Sequence, residues 1–313
     1  MNARLTFVHA LSPLHAGTGQ GAGIIDLPIA REKATGLPFL PGSSLKGTLR
    51  ACCKTPELCK QIFGPDTTEI QTDSNHTSSA QFSDQRLLLL PIRSLAGTFA
   101  WVTCPYVLRR LMRDIEDAQL PLPEANIPSI AEMESCAIVV ADKEVESKIT
   151  VEAKVYLEEF ELNALPEGPK GEVNAWAKWL SECIFPQDEG WRQMLIERLC
   201  IVHDDLFNFM IDTATEITAR IKLREDAKTV QEGGLWYEEA LPTETILSGI
   251  VLATLVKKAG IMPDKVFEVL GELLGQTLQF GGKATVGRGM CKVQLAGETK
   301  QAVAEGGKGN ANT

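Results

Sequence analysis

The stretch Leu37-Pro38-Phe39-Leu40-Pro41-Gly42-Ser43-Ser44-Leu45-Lys46-Gly47-Thr48-Leu49-Arg50 turns an extended, proline-stiffened approach into a helix. Pro38 and Pro41 hold the backbone extended ahead of Gly42, and Ser43 or Ser44 is expected to cap a helix over about 44–54. Lys46 and Arg50, four apart, share one face of it. A helix N-terminus with a lysine beside it suits a phosphate, so Ser44, Lys46 and Arg50 are candidate phosphate contacts. Immediately upstream runs Gly23-Ile24-Ile25-Asp26-Leu27-Pro28-Ile29-Ala30-Arg31-Glu32, a glycine-flexible loop that sets one carboxylate among apolar neighbours.

Working outward, residues 4–10 alternate polar and apolar side chains as a strand does. Strands are expected at 86–92, 97–102, 137–140, 155–162, from 201, at 215–223, 277–280 and 290–293. Helices are expected at 105–116, 176–184, 191–199, 204–210 and 263–274, with Pro105 and Pro263 at helix starts. The segment 224–234, followed by 235–242 and a β-like 245–255, reads as a long hairpin projecting from a sheet. Residues 64–81 are polar and read as a mobile insertion, and the chain from about 298 reads as disordered. Strand, helix, strands, helix and final strand follow the order of a ferredoxin-like βαββαβ unit, though periodicity alone supports only an α+β fold with a large sheet and insertions.

Composition narrows the function. With 44% hydrophobic and 23% charged residues in 313, the chain can bury a core. It has no apolar run long enough to span a bilayer and no basic-then-apolar N-terminal signal, so the cytoplasm is the expected setting. Eight cysteines are expected as reduced thiols there. Cys52, Cys53 and Cys59 cluster without a Cys-x-x-Cys pair, which argues against zinc. A net charge of −10 argues against non-specific nucleic-acid binding as the whole protein's job. Residues 27–60 nevertheless hold six basic against two acidic residues, and 276–293 hold three basic and none acidic. Such patches suit a protein that holds RNA on one face.

Phe280-Gly281-Gly282-Lys283-Ala284-Thr285-Val286-Gly287-Arg288-Gly289 fits neither a dinucleotide fingerprint nor a Walker loop. Gly281 and Gly282 allow backbone N–H groups to approach an anion, and Lys283 and Arg288 add charge. A plain glycine-turned hairpin is the bland alternative. Asp26 alone reads more often as a turn or capping residue than as a carboxylate that helps hold a divalent metal. His15 reads as a structural group or as a general base. Tyr237 and Glu238, in a Trp-Tyr-Glu-Glu run, read as a base-wedging aromatic with a second carboxylate, or as charged gatekeepers of an edge strand.

The Asp26 run, the Leu-Pro-Phe-Leu-Pro-Gly-Ser-Ser-Leu-Lys-Gly run and the late glycine-rich loop together resemble the CRISPR RAMP superfamily. Within it they are most similar to the repeated backbone subunits of type III-B (Cmr) effector complexes. The resemblance implies an RRM-like core with a projecting thumb. It also implies guide crRNA contacts at Lys46 and the glycine-rich loop, and cleavage of paired target RNA at Asp26 with Mg²⁺ or Mn²⁺, in antiviral defence. Copies of the chain would stack head-to-tail with other Cmr subunits, the thumb reaching a neighbour's Asp26 loop. A RAMP endonuclease that trims guide precursors through His15, and a non-catalytic RNA-binding subunit, are the alternatives.

Overall fold

In a computed structural model the described residues are 2–19, 21, 23–65, 77–140, 146–165, 171–224, 226, 229–257 and 259–296. Most of the expected insertion (66–76) and all of the expected tail (298–313) lie outside them. The first third comprises β1 (Asn2–Ala10), β2 (Phe39–Leu40), α1 (Gly42–Cys52), α2 (Pro56–Phe63), β3 (Ala80–Phe82), β4 (Gln85–Arg93), β5 (Phe99–Thr103) and α3 (Pro105–Asp117). The middle holds β6 (Ser135–Ile138), β7 (Thr150–Val151), β8 (Lys154–Leu157), β9 (Phe160–Ala164), α4 (Glu172–Ile184), α5 (Glu189–Arg198), β10 (Leu199–Val202) and α6 (Asp204–Ala214). The last third runs β11 (Glu216–Leu223), β12 (Val230–Ala240), β13 (Ile246–Ala253), α7 (Pro263–Leu274), β14 (Leu278–Gln279) and β15 (Met290–Leu295).

This is an α+β fold built on one mixed sheet of 13 strands. Toward one edge, inside β14, lie β15, β1, β13 and β4, in that order and each antiparallel to the next. With α1 between β1 and β4, and α7 between β13 and β15, they carry the βαββαβ chain order; the other elements are inserted into it. The sheet then continues through β5 and β10, a parallel pair, to β6–β9. The last six residues of β1 are all buried, so both faces of that strand are covered. Trp101 and Trp176 are fully buried in the core.

Several local expectations change. Helix α1 begins at Gly42, not Ser44, and no side chain of its own caps it; the Gly42 N–H instead donates to the Asp84 carboxylate (2.8 Å). A Cβ at Gly42 would lie 2.3 Å from the Phe82 carbonyl oxygen, so only glycine fits this entry. Residues 155–162 are not one strand but the hairpin β8–β9, and residues 80 and 81, the end of the expected insertion, belong to β3, which pairs with β13. The projecting hairpin is β11–β12, while β13 belongs to the main sheet. Cys53 and Cys59 form a disulfide that ties the end of α1 to α2, against the expectation of reduced thiols; the other six cysteines are free.

Candidate RNA-cleaving site

Residues 14–31 fold back onto the end of β12. Leu14 pairs with Leu241, and Leu27 pairs with Glu238 as a parallel bridge. Leu27 N–H donates to the Tyr237 carbonyl (3.1 Å), and Glu239 N–H donates to the Leu27 carbonyl (3.0 Å). The exposed Asp26 is thereby laid against the strand, its Oδ2 accepting the Tyr237 backbone N–H at 2.8 Å. Tyr237 thus meets Asp26 within one chain through its backbone N–H.

Glu239 locks this seam. Its carboxylate is buried and accepts from Ile29 N–H (3.0 Å) and from Arg31 Nη2 (2.6 Å), while Arg31 also donates to the Gly36 carbonyl (3.1 Å). The Glu239 carbonyl receives His15 Nδ1 at 2.6 Å, which puts the ring proton on Nδ1 in neutral His15. The Glu-Glu pair is plain in the sequence, but nothing there distinguishes the clamp residue from its neighbour.

Glu238 does not serve as a second open carboxylate. It is 2% exposed, and Oε1 accepts from Lys283 Nζ and Trp236 Nε1, each at 2.7 Å, while Oε2 accepts from Arg220 Nε at 3.3 Å. Burial pushes its carboxyl up, but the hydrogen bonds from Lys283 and Trp236, with the charges of Lys283 and the Arg220 bond, outweigh this and hold it at about 2. A carboxyl held below its ordinary value stabilises the fold above about pH 4.5, and this contribution is lost as pH falls toward 2. The Glu238→Gln chain should therefore lose less stability between pH 5 and pH 2 than the wild type, as read by urea unfolding at each pH. Equal losses would mean that the three contacts contribute nothing net.

Two clefts meet at Leu27. The first, about 570 Å³, is lined by His15, Ser44, Gly47, Thr48, Gln279, Gly281 and Gly282 among others. It brings α1 against the glycine-rich loop, and Thr48 donates to the Gln279 carbonyl across it (3.3 Å). Lys46 and Arg50 sit half-buried on the same helix; burial lowers the Lys46 pKa, with the Arg50 charge adding to the effect. The second cleft, about 420 Å³, holds Asp26 with Gly21, Leu27, Gly233, Leu235, Trp236 and Lys283. His15 and Asp26, the rival catalysts, therefore line different clefts.

The glycine-rich loop is folded tightly against the residues before Asp26. Gly282 N–H donates to the His15 carbonyl (3.0 Å) and Gly289 N–H to the Pro13 carbonyl (2.9 Å). Gly281 and Gly289 both have positive φ, and a Cβ on Gly289 would lie 1.9 Å from the Phe280 carbonyl oxygen. Arg288, expected to meet RNA, is instead buried and donates to Thr218 Oγ1 at the foot of β11 (3.1 Å).

Comparison with known proteins decides the family. The RAMP superfamily model matches residues 7–292. The chain belongs to the RAMP superfamily. It is 36% identical over 300 residues to the CRISPR system Cmr endoribonuclease Cmr4 of Pyrococcus furiosus, spanning 94% of this chain and 96% of that protein. The crystal structure of oligomeric Cmr4 from Pyrococcus furiosus superposes with a TM-score of 0.72 at 29% identity, covering 95% of this chain and 98% of that one. A chain of the type III-B Cmr-beta complex bound to cognate target RNA has the same fold, with a TM-score of 0.68, 21% identity, and coverage of 94% and 97%. No helix among the described residues of this RAMP protein is long and apolar enough to cross a membrane.

A divalent ion on the Asp26 side of this RAMP protein would find one protein carboxylate there. Asp26 offers a carboxylate at the edge of an open cleft, with one oxygen fixed by the Tyr237 amide. Among the described residues there is no cluster of three or more His, Cys, Asp or Glu. Water and phosphate oxygens would have to complete the coordination, as Mg²⁺ accepts more readily than zinc does.

Proposed function

We propose that this chain is the repeated backbone subunit of a type III-B Cmr effector complex, which binds a guide crRNA and cuts complementary target RNA. The observation that carries the reading is Asp26 seated on β12 beside an open cleft. Its support is membership of the family of a named Cmr endoribonuclease. Copies stack head-to-tail, and because such contacts do not close, other Cmr subunits cap the stack. Each copy presents one Asp26, so cuts fall at regular intervals. The setting is the cytoplasm.

RNA carries its own nucleophile, the 2′-OH beside each phosphate, so the protein needs only to align attack and offset charge. A Mg²⁺ or Mn²⁺ ion held by Asp26 would polarise the phosphoryl oxygen and favour loss of the 2′-OH proton. The Tyr237 amide fixes the Asp26 carboxylate against β12, and Glu239 with Arg31 fixes the loop that carries it. Trimming of guide precursors by His15 has less support, because the ring is buried and lines the cleft that does not hold Asp26. The test is purified complex with guide-matched labelled RNA, with Mg²⁺ or with chelator. Cutting that survives chelator but is lost in His15→Ala would favour the histidine mechanism.

Guide binding falls to α1 and the first cleft beside it: Ser44 lines the cleft with Gly281 and Gly282 opposite, and Lys46 and Arg50 lie on the same helix. Lys46→Ala should weaken guide association and lower the slope of log K against log[salt] by about 0.7, the value for one lost single-strand phosphate contact. Filter binding across a salt series measures it. An unchanged slope would remove Lys46 from the guide site.

A further inference from the structure

The glycine-rich loop divides between the two clefts. Gly281 and Gly282 line the cleft beside α1, whereas the next residue, Lys283, lines the cleft that holds Asp26. The turn is made in the backbone: Lys283 has φ 67°, the left-handed region that side chains other than glycine enter at a cost. Here the side chain is directed to Glu238, with Nζ 2.7 Å from Oε1, and a third of it stays exposed. Glu238 meets two cations, Lys283 and Arg220, so the cluster carries a net positive charge next to Asp26.

We propose that Lys283 is a catalytic residue of target-RNA cleavage, its ammonium facing the scissile phosphate, and that Glu238 is its positioning residue. The inference rests on the cleavage reading above and deepens it. In the reaction the 2′-oxygen forms a bond to phosphorus and the P–O5′ bond breaks. The 2′-OH proton leaves to solvent on the Asp26 side, and the departing 5′-oxygen takes a proton from water. Lys283 exchanges no proton; it stabilises the negative charge that gathers on the phosphoryl oxygens as the 2′-oxygen adds. Asp26 by itself is an anion placed against an anionic phosphate, and a fixed ammonium in the same cleft offsets that repulsion.

The experiment is single-turnover cleavage of guide-matched labelled RNA by assembled complex at saturating protein, with guide affinity measured across salt in parallel. Lys283→Met should cut about 100-fold more slowly, the usual loss for one charge-stabilising donor, with guide affinity, its salt slope and target affinity unchanged. Lys283→Arg keeps both the charge and the bond to Glu238 and should recover much of the rate. Lys283→Gln keeps the bond without the charge and should not, whereas a purely structural role predicts recovery by both. Glu238→Gln should fall between wild type and Lys283→Met. Should Lys283→Met fail to assemble, Lys283→Gln keeps a hydrogen bond to Glu238 and is judged by the same criteria. A wild-type rate in the variant, or a guide slope lowered by about 0.7 with the saturated rate intact, overturns the proposal. Asp26→Asn run alongside separates the two failures: full cutting by Asp26→Asn sinks the cleavage reading itself. A dead Asp26→Asn beside a fully active Lys283→Met sinks only the role of Lys283.

Discussion

Asp26→Asn is expected to reduce target cutting about 1000-fold or more while assembly and target binding stay within about twofold of wild type. The substitution keeps the size of the side chain, and the Asn amide oxygen can still accept the Tyr237 N–H that the carboxylate accepts at 2.8 Å. What it removes is the negative charge that would hold a divalent ion. A bound ion contributes several kcal/mol to a phosphoryl transition state, and each 1.36 kcal/mol is tenfold in rate. Chelator should give a loss of similar size in the wild type, and little further loss in Asp26→Asn. Single-turnover kinetics on a homogeneous Asp26→Asn complex check this. Full cutting there would show that the carboxylate takes no part.

Glu239→Ala is expected to be the most destabilising single change at the site, at about 3 kcal/mol. Truncation leaves the Ile29 N–H and Arg31 without their carboxylate, and opening a buried ion pair from one side costs about 3–5 kcal/mol. Arg31 retains Asp212 (3.3 Å) and the Gly36 carbonyl (3.1 Å), which places the cost at the lower end. Glu239→Gln keeps an acceptor for Ile29 and should recover about half of the loss. Because Ile29 and Arg31 anchor the segment that carries Asp26, Glu239→Ala should also slow cutting even where the chain remains folded. Denaturant unfolding of both variants measures the stability arm. Equal midpoints for Glu239→Ala and wild type would mean that the clamp contributes nothing.

What could be read in advance follows from how local each signal is. Helix α7 is legible from Pro263 to Leu274 because a proline opens it and its apolar spacing repeats each turn. The start of α1 is not, because the group that caps it, Asp84, lies 42 residues downstream. The first half of β12 hides behind Gln231, Glu232, Gly233 and Gly234: it projects from the body, so neither face needs the apolar alternation that betrays a half-buried strand. Asp26 stands out in sequence as a carboxylate in an apolar, glycine-flexible loop. Its partners do not, since Tyr237 lies 211 residues away and Glu239 and Arg31 are 208 apart. Charge counting misplaced Arg288, because a basic residue in a glycine-rich loop looks the same whether it faces solvent or, as here, Thr218. It also gave no sign that Lys283 and Gly282, adjacent in the chain, serve different clefts.

The central claim is that each stacked copy contributes one Asp26 to a regularly spaced series of cuts. Mapping cut positions at single-nucleotide resolution, on a target RNA paired to a guide long enough for several copies, tests it most directly. The account predicts a ladder of cuts at one constant interval, with as many cuts as there are copies in the complex. A single cut, or cuts whose spacing follows target sequence instead of the guide register, would contradict it.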